Sequence, residues 1–330
     1  MTLPVIDFAA YRNGAAGSLE RTAAEIERAL ADVGFYVAVN HGLDWGKVDQ
    51  VFAQARRYHA LPLATRQASS FSAAYTGYLG TNAHVLRTSQ VNRNTQGDLN
   101  EAFFIEREVP PASAPAARAA GFESANQWPE GLGDFREIVL EYYAAAEAFA
   151  RSLLPLYAVA LGLSPEWFAA GFTWPQASLR LTRYPPGQRA ANQFGIAPHT
   201  DAGFLTVLPQ SDVTGLHIRL PNDDWITAPR IEKGLFINSG DMLKRWTNDR
   251  WLSTQHMAVN DSQEDRYAAV FFFSPSLDYE MSCIPTCQSP ENPPRYEPIA
   301  YGQYRAWFMD SNYRADEPPR ADAVPVGVER

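Results

Sequence analysis

Three side chains in the second half of the chain have the types and spacing of a metal site. His199 and Asp201 stand two positions apart, His256 follows far downstream, and Arg266 comes shortly after it. Side chains on a strand alternate between its faces, so a His-x-Asp pair on extended backbone presents both groups on one side. A second imidazole from elsewhere completes two nitrogens and one carboxylate, a facial set that suits non-haem Fe(II) and leaves adjacent coordination positions open. His-x-Asp alone is a weak motif. Its context strengthens it: Leu205, Val207 and Leu208 follow as strand-like apolar residues, and Trp251 to Val259 reads as another strand. Arg266 adds a planar fork of donors, the geometry that pairs a buried carboxylate in two parallel hydrogen bonds.

The elements that must position these groups can be read at several points. Leu179 to Tyr184 alternates, which puts Arg180, Thr182 and Tyr184 on one strand face. Asn260 to Asp265 has turn composition between two apolar stretches, so His256 and Arg266 are expected on the arms of a hairpin. If both face one cavity, parity places His256 opposite Ala268 rather than Ala269, unless a bulge absorbs the extra residue. Upstream, Pro4 to Phe8 and Phe35 to Val39 read as short strands. Ala23, Ile26, Leu30 and Val33 recur at helical spacing before Gly34, and Trp45 to His59 forms a second amphipathic pattern. Tyr75 to Glu106 is rich in Tyr, Gly, Asn and Thr, which predicts an irregular segment of the kind that often carries function. Phe135, Ile138, Val139, Tyr142, Ala146, Phe149 and Leu153 predict a long core helix reaching about Gly162 and bending near Pro155. Ser164 and Pro165 suit the start of a short helix. Tyr296, Tyr301, Tyr304, Trp307 and Phe308 predict a C-terminal helix packed on the core or over the cavity. His41, His59, His84 and His217 lack a spaced partner and read as ordinary turn or helix-surface histidines. Pro110 to Pro115 reads as a surface connection, and the residues from about Asp316 as a mobile tail.

Composition sets outer bounds. With 330 residues, 46% hydrophobic and 12% aromatic, the chain can bury a large core as one unit. A net charge of −9 argues against nucleic acid or an anionic membrane as partner, since either calls for a basic patch. No apolar run approaches the roughly 20 residues of a membrane span, and the N-terminus lacks a signal-peptide pattern. A cytoplasmic protein is expected, monomeric or weakly homo-oligomeric. Cys283 and Cys287 are too few for a four-ligand zinc site or a disulfide framework and read as reduced thiols.

The segments HTDAGFLTVLPQSDVTGLHI, INSGDMLKRWTNDRWLSTQHMAV and DRYAAVFFFSP, together with LPVIDF and GFYVAVNHG near the N-terminus, resemble the isopenicillin N synthase-like branch of the Fe(II)/2-oxoglutarate-dependent oxygenases. The resemblance covers most of the chain. It implies a mainly β protein with flanking helices around a double-stranded β-helix (jelly-roll, cupin-like) core at residues 175–280. An N-terminal family region over 1–110 and a C-terminal helix and tail over 290–330 would complete one compact unit of residues 1–330. It further implies His199, Asp201 and His256 as Fe(II) ligands, 2-oxoglutarate and O2 as co-substrates, and Arg266 as partner of the distal 2-oxoglutarate carboxylate.

Where that family usually carries Arg-x-Ser, this chain reads Arg266-Tyr267-Ala268. A hydrogen bond to a charged group is worth about 1.5–3 kcal/mol, so another donor is expected, and Tyr184 is the candidate. The family often has Asn at the position of Thr182. TGYLG and NEAFFIERE resemble its segments that close one side of the active site, with Tyr78 and Glu101 at matching positions. Glu101 is therefore expected either to face the substrate or to form a structural ion pair. Arg180 is a candidate for substrate or co-substrate contact, and Trp246, Phe271 and Phe273 for an apolar lining. The implied reaction oxidises a C–H bond of a small organic substrate by hydroxylation, desaturation, ring formation or demethylation, releasing succinate and CO2. The residues alone leave two other readings open. One is an Fe(II) oxidase of this fold whose Arg266 binds the substrate's own carboxylate, and the other is a non-catalytic jelly-roll binding protein.

Overall fold

Gln176–Tyr184 forms a nine-residue strand, and the rest of the molecule is arranged about its two faces. The structure is a computed structural model describing residues 2–72, 75–86, 89, 91, 96–108, 126–187 and 189–313. In chain order its principal strands are β1 (Val5–Asp7), β2 (Phe35–Val39), β3 (Gly77–Leu79), β4 (Glu101–Glu106), β5 (Gln176–Tyr184), β6 (Ile196–His199), β7 (Leu205–Pro209), β8 (Leu216–Arg219), β9 (Trp225–Thr227), β10 (Leu235–Ser239), β11 (His256–Ala258) and β12 (Arg266–Ser274). They form an eight-stranded sheet, β1-β2-β10-β7-β12-β5-β4-β3, and a four-stranded sheet, β6-β11-β8-β9. This is the two-sheet jelly roll with helices outside it.

Alternation decides what each face does. On the outer face of the larger sheet, Leu179, Leu181, Val207, Leu235, Ile237, Ala269, Phe271 and Phe273 join one core with the helices Ser18–Asp32, Trp45–His59 and Phe135–Ala160. Each such Leu or Phe contributes about 1.5–3 kcal/mol by leaving water. Those helices follow from local chemistry: Asp44 caps Trp45–His59 by accepting from the Gly46 amide at 2.9 Å. The helix before it is released into β2 at Gly34, whose φ of +75° only glycine adopts without strain. The inner face carries the alternate residues, including Arg180, Thr182 and Tyr184, and looks toward the smaller sheet. Leu216, Ile218, Phe35, Val37 and Phe236 fill one end of that space as a second, smaller core.

Several expectations are corrected. His256 and Arg266 are not on the arms of one hairpin: β11 pairs with β6 and β8, whereas β12 pairs with β5 and β7. The turn composition of Asn260 to Asp265 is real, with Asn260 donating to the Glu264 and Tyr184 carbonyls at 2.8 and 2.7 Å, but the connection crosses from one sheet to the other. The parity rule then constrains nothing between them, and Ala268 and Ala269 face Thr182 and Leu181 of β5 instead. The strand expected over Trp251 to Val259 shrinks to His256–Ala258. Trp251 is fully buried against the helical layer, where its indole donates to Glu27 at 2.7 Å. The segment expected to be irregular contains β4, a completely buried strand whose terminal acids are each paired with arginine. Turns and the 3-10 turn Ala169–Phe172, rather than a capped helix, follow Ser164. His59 is buried beneath β5, not on a helix surface. Pro110 to Pro115 and the tail from Asp316 lie outside the described residues.

Candidate functional site

His199 ends β6 and His256 opens β11, and the register sets them directly opposite each other. Their rings lie 4.3 Å apart. Asp201 follows β6 on the same side, its Oδ1 3.8 Å from His199 Nε2 and 3.7 Å from His256 Nε2. One ligand atom from each of the three residues falls within 4.8 Å of the others. The remaining polar atoms of the trio are already engaged. His199 Nδ1 is 2.8 Å from the Ala197 carbonyl and His256 Nδ1 3.0 Å from the Thr254 carbonyl, so each Nδ1 carries the proton and each Nε2 lone pair is free. Thr206 and Asn238 donate to Asp201 Oδ2 at 2.5 and 2.7 Å, which leaves Oδ1 for the centre.

Electrostatics prepare these groups for a cation. Burial, with repulsion from His256, pushes the His199 pKa down to about 3, which keeps the imidazole neutral. Burial alone would raise Asp201, yet the two histidines and the Asn238 and Thr206 donors hold it below the ordinary range. Two neutral imidazoles and a carboxylate with converging lone pairs fit a hard-to-intermediate divalent metal.

Arg266 lies at the start of β12, opposite Tyr184, whose ring covers the guanidinium at 4.8 Å. It is 5% exposed, and its Nε and Nη1 are buried without a hydrogen-bond partner among the described residues. Burial lowers its pKa while Tyr184 pulls the other way, and an arginine remains a cation under both influences. A buried cation without a counter-ion is costly, so this end of the cavity fits an anion. Gly215 makes room for it: a side chain there would come within 3.0 Å of Arg266 Cδ. Ala268, where a serine hydroxyl was missed in the sequence, sits in an apolar patch with Leu86, Tyr184, Ile196 and Ala258. Directly across the strand pair is Thr182, fully buried, its hydroxyl without a partner.

The structure separates the other candidates. Arg180 shares the inner face with Thr182 and Tyr184. Phe273, Phe271 and Trp246 belong to the core outside the sheet, Phe273 stacking on Phe172 at 5.0 Å, because odd positions of β12 face the helices. Glu101 and Tyr78 are also on the outer side. Glu101 Oε1 accepts from Arg183 at 2.8 Å and lies 3.6 Å from His59 Nδ1, while Oε2 accepts from Tyr78 and Arg66. That carboxylate has no valence left for a substrate. Thr206, Asn238 and Phe104 on the inner face, with Asn100 just before β4 and Tyr313 at the end of the last helix, are residues that motif spacing gave no means of finding; alternation along β4, β7 and β10 was the available signal for the first three.

Glu101 instead ties β3, β4, β5 and two helices together. Burial raises its pKa, but the neighbouring His59 and hydrogen bonds from Tyr78 and Arg183 bring it well below the usual carboxylate range. A carboxylate depressed in the folded state stabilises above the unfolded pKa and loses that contribution as pH falls. Glu101→Gln is therefore expected to cost about 3 kcal/mol at neutral pH, as for breaking a buried ion pair. The gap between wild type and variant in urea titrations should narrow as pH drops below the ordinary value of 4.5. A pH-independent gap would contradict it.

Comparison with known proteins agrees with this geometry. Residues 175–275 match the 2OG-Fe(II) oxygenase superfamily, and residues 3–131 match the N-terminal region described as non-haem dioxygenase in morphine synthesis. Validamycin A dioxygenase of Streptomyces hygroscopicus subsp. limoneus is 30% identical over 295 residues, covering 85% of this chain and 79% of that protein. The 2-oxoglutarate-Fe(II) type oxidoreductase hxnY of Emericella nidulans is 27% identical over 326 residues, covering 95% and 91%. A full-length Neurospora crassa protein solved in complex with alpha-KG superposes with a TM-score of 0.79 at 25% identity, covering 92% of this chain and 95% of that one. The chain belongs to the 2OG-Fe(II) oxygenase superfamily and is a 2-oxoglutarate-dependent non-haem iron dioxygenase.

Proposed function

We propose that His199, Asp201 and His256 hold the Fe(II), and that Arg266, Tyr184 and Thr182 seat the distal carboxylate of 2-oxoglutarate. The cavity then oxidises an unactivated C–H bond of a small organic molecule, by hydroxylation or, with different positioning, desaturation or ring closure. The observation that carries this reading is the convergence of three ligand atoms with a buried guanidinium that has no ion pair among the described residues, on the inner face of one jelly roll. Iron with 2-oxoglutarate and O2 supplies the oxidising power, 2-oxoglutarate leaving as succinate and CO2.

The chain's own residues do the rest. The Ala197 and Thr254 carbonyls fix both imidazole tautomers, and Thr206 with Asn238 fixes the carboxylate plane. Arg266 supplies charge, Tyr184 shields it from water, and the apolar patch around Ala268 keeps that end of the cavity dry. The acidic net charge supports a solution enzyme in the cytoplasm, monomeric or weakly homo-oligomeric, with neither nucleic acid nor membrane as partner. No helix among the described residues is long and apolar enough to cross a membrane.

Anaerobic titration with Fe(II) and then 2-oxoglutarate tests the assignment. A weak visible charge-transfer band, followed on aeration by succinate release with small organic metabolites, is the expected result; iron binding with no band on adding 2-oxoglutarate would overturn it. Thr182 gives a finer test. Thr182→Val should raise the KM for 2-oxoglutarate about tenfold with little change in kcat, the loss of one hydrogen bond to a charged group. It should also make the ligand-free protein more heat-stable, since it removes a buried hydroxyl that lacks a partner. An unchanged KM would remove Thr182 from the co-substrate site.

A further inference from the structure

The inner face carries a second buried arginine, away from the rung that holds Arg266. Arg180 lies on β5 four residues before Tyr184, opposite Val270, whereas Arg266 lies opposite Tyr184. At about 3.3 Å per strand residue the two rungs are roughly 13 Å apart. The two arginines therefore start from well-separated rungs of the same strand pair. Arg180 is 5% exposed, and its Nη2 donates to Asn100 Oδ1 at 2.8 Å. The ring of Phe104 lies 5.0 Å from the guanidinium and fixes its plane, and Nε is buried with no hydrogen-bond partner among the described residues.

No acid among the described residues forms an ion pair with it. Two buried carboxylates flank β6, Asp201 after it and Asp98 on the Ala197 amide. Asp201 is committed to Thr206, Asn238 and the metal position. Asp98 accepts from the Ala197 amide at 2.9 Å and turns its other oxygen to His84 Nε2 at 3.3 Å. Around it, Tyr313 stacks on His84 at 5.1 Å and meets Phe104 edge-on at 6.0 Å, so the last helix roofs this end with aromatic surface. Arg180 is thus a buried cation with no ion pair among the described residues, in a place too dry for water to compensate it.

We propose that the substrate to be oxidised is a small carboxylic acid whose carboxylate pairs with Arg180, its apolar body lying against Phe104 and Tyr313. The proposal rests on the oxygenase reading above and adds the substrate class to it. Arg180 is a binding residue: it orients the acid so that a carbon removed from the carboxylate faces the metal, and it takes no part in electron or proton transfer.

The test uses matched pairs of an acid and its primary amide, phenylacetate with phenylacetamide and octanoate with octanamide. Each is titrated calorimetrically into the anaerobic Fe(II)- and 2-oxoglutarate-loaded protein, after the visible band has been recorded in the same sample. Acids should bind at least about tenfold more tightly than their amides, the value of one charge-assisted pair. Arg180→Gln should abolish that preference and Arg180→Lys keep part of it, with the 2-oxoglutarate band present in both. A purely structural role, holding Asn100 in place, would weaken acid and amide alike. The proposal is overturned if acids and amides bind equally, including the case where neither binds, or if the preference survives in Arg180→Gln. Should Arg180→Gln fail to fold, the wild-type acid–amide comparison and Arg180→Lys decide it. Absence of the band in wild type overturns the oxygenase reading as well; a band without acid preference overturns this proposal alone.

Discussion

Asp201→Ala is expected to lower Fe(II) affinity by more than about 100-fold and to reduce succinate formation to background. Groups that merely orient metal ligands cost 10–100-fold when lost, and Asp201 supplies the only negative charge of the trio. Two neutral imidazoles cannot replace it. The change also strands the Thr206 hydroxyl and the Asn238 amide, which both donate to Asp201 Oδ2, at about 1–3 kcal/mol for each buried donor left unsatisfied. Against that, removal of a buried carboxylate relieves its desolvation, so the fold should persist with a lowered melting temperature. Circular dichroism with an anaerobic iron titration separates lost binding from lost structure. A folded variant that still binds one Fe(II) and still forms succinate would remove Asp201 from the centre. If it instead kept small-molecule affinity while the wild type itself showed no turnover, a binding protein would be the better description.

The juxtaposition of His199, Asp201 and His256 was legible because its physics is local. Two positions on a strand share a face whatever the rest of the chain does, and a third ligand needs only a strand end nearby. The same reasoning placed Arg180, Thr182 and Tyr184 together, since period two holds along all of β5. It failed where topology intervened. Two apolar stretches around a turn imply a hairpin, yet in a jelly roll consecutive strands can enter opposite sheets, and nothing in Asn260 to Asp265 distinguishes the two. Glu101 and Phe273 show a second limit. Period two says which residues share a face but not which face meets the helices, and both fall outside the cavity for that reason. β4 was hidden because its acids at both ends, Glu101 and Glu106, read as surface residues; their arginine partners Arg183 and Arg305 come from β5 and the last helix, far away in sequence. The Ala268 position is a case where a departure in sequence acquired a physical counterpart in the fold, a hydroxyl facing it from the neighbouring strand.

Arg266→Ala should raise the KM for 2-oxoglutarate by about 100- to 4,000-fold while Fe(II) affinity stays within a few-fold of wild type. The magnitude follows from removing one partner of a buried charge pair, which costs about 3–5 kcal/mol because the other charge is left uncompensated. Here the uncompensated charge would be the co-substrate's distal carboxylate, facing the apolar patch of Leu86, Ile196, Ala258 and Ala268. Without ligand the sign reverses. Arg266 Nε and Nη1 are buried without partners, so truncating the side chain deletes a desolvated cation and should leave the ligand-free protein at least as stable. Opposite signs for ligand-free stability and co-substrate affinity mark a residue held for binding rather than for folding. Arg266→Lys should fall between, keeping the charge and losing the planar fork. The measurement is the visible band titrated with 2-oxoglutarate in the three proteins, set beside their melting temperatures. A band formed by Arg266→Ala at wild-type concentrations would move the dicarboxylate away from this end of the cavity. Arg266 would then be left for an anion on the substrate, and Arg180 would be the one to explain.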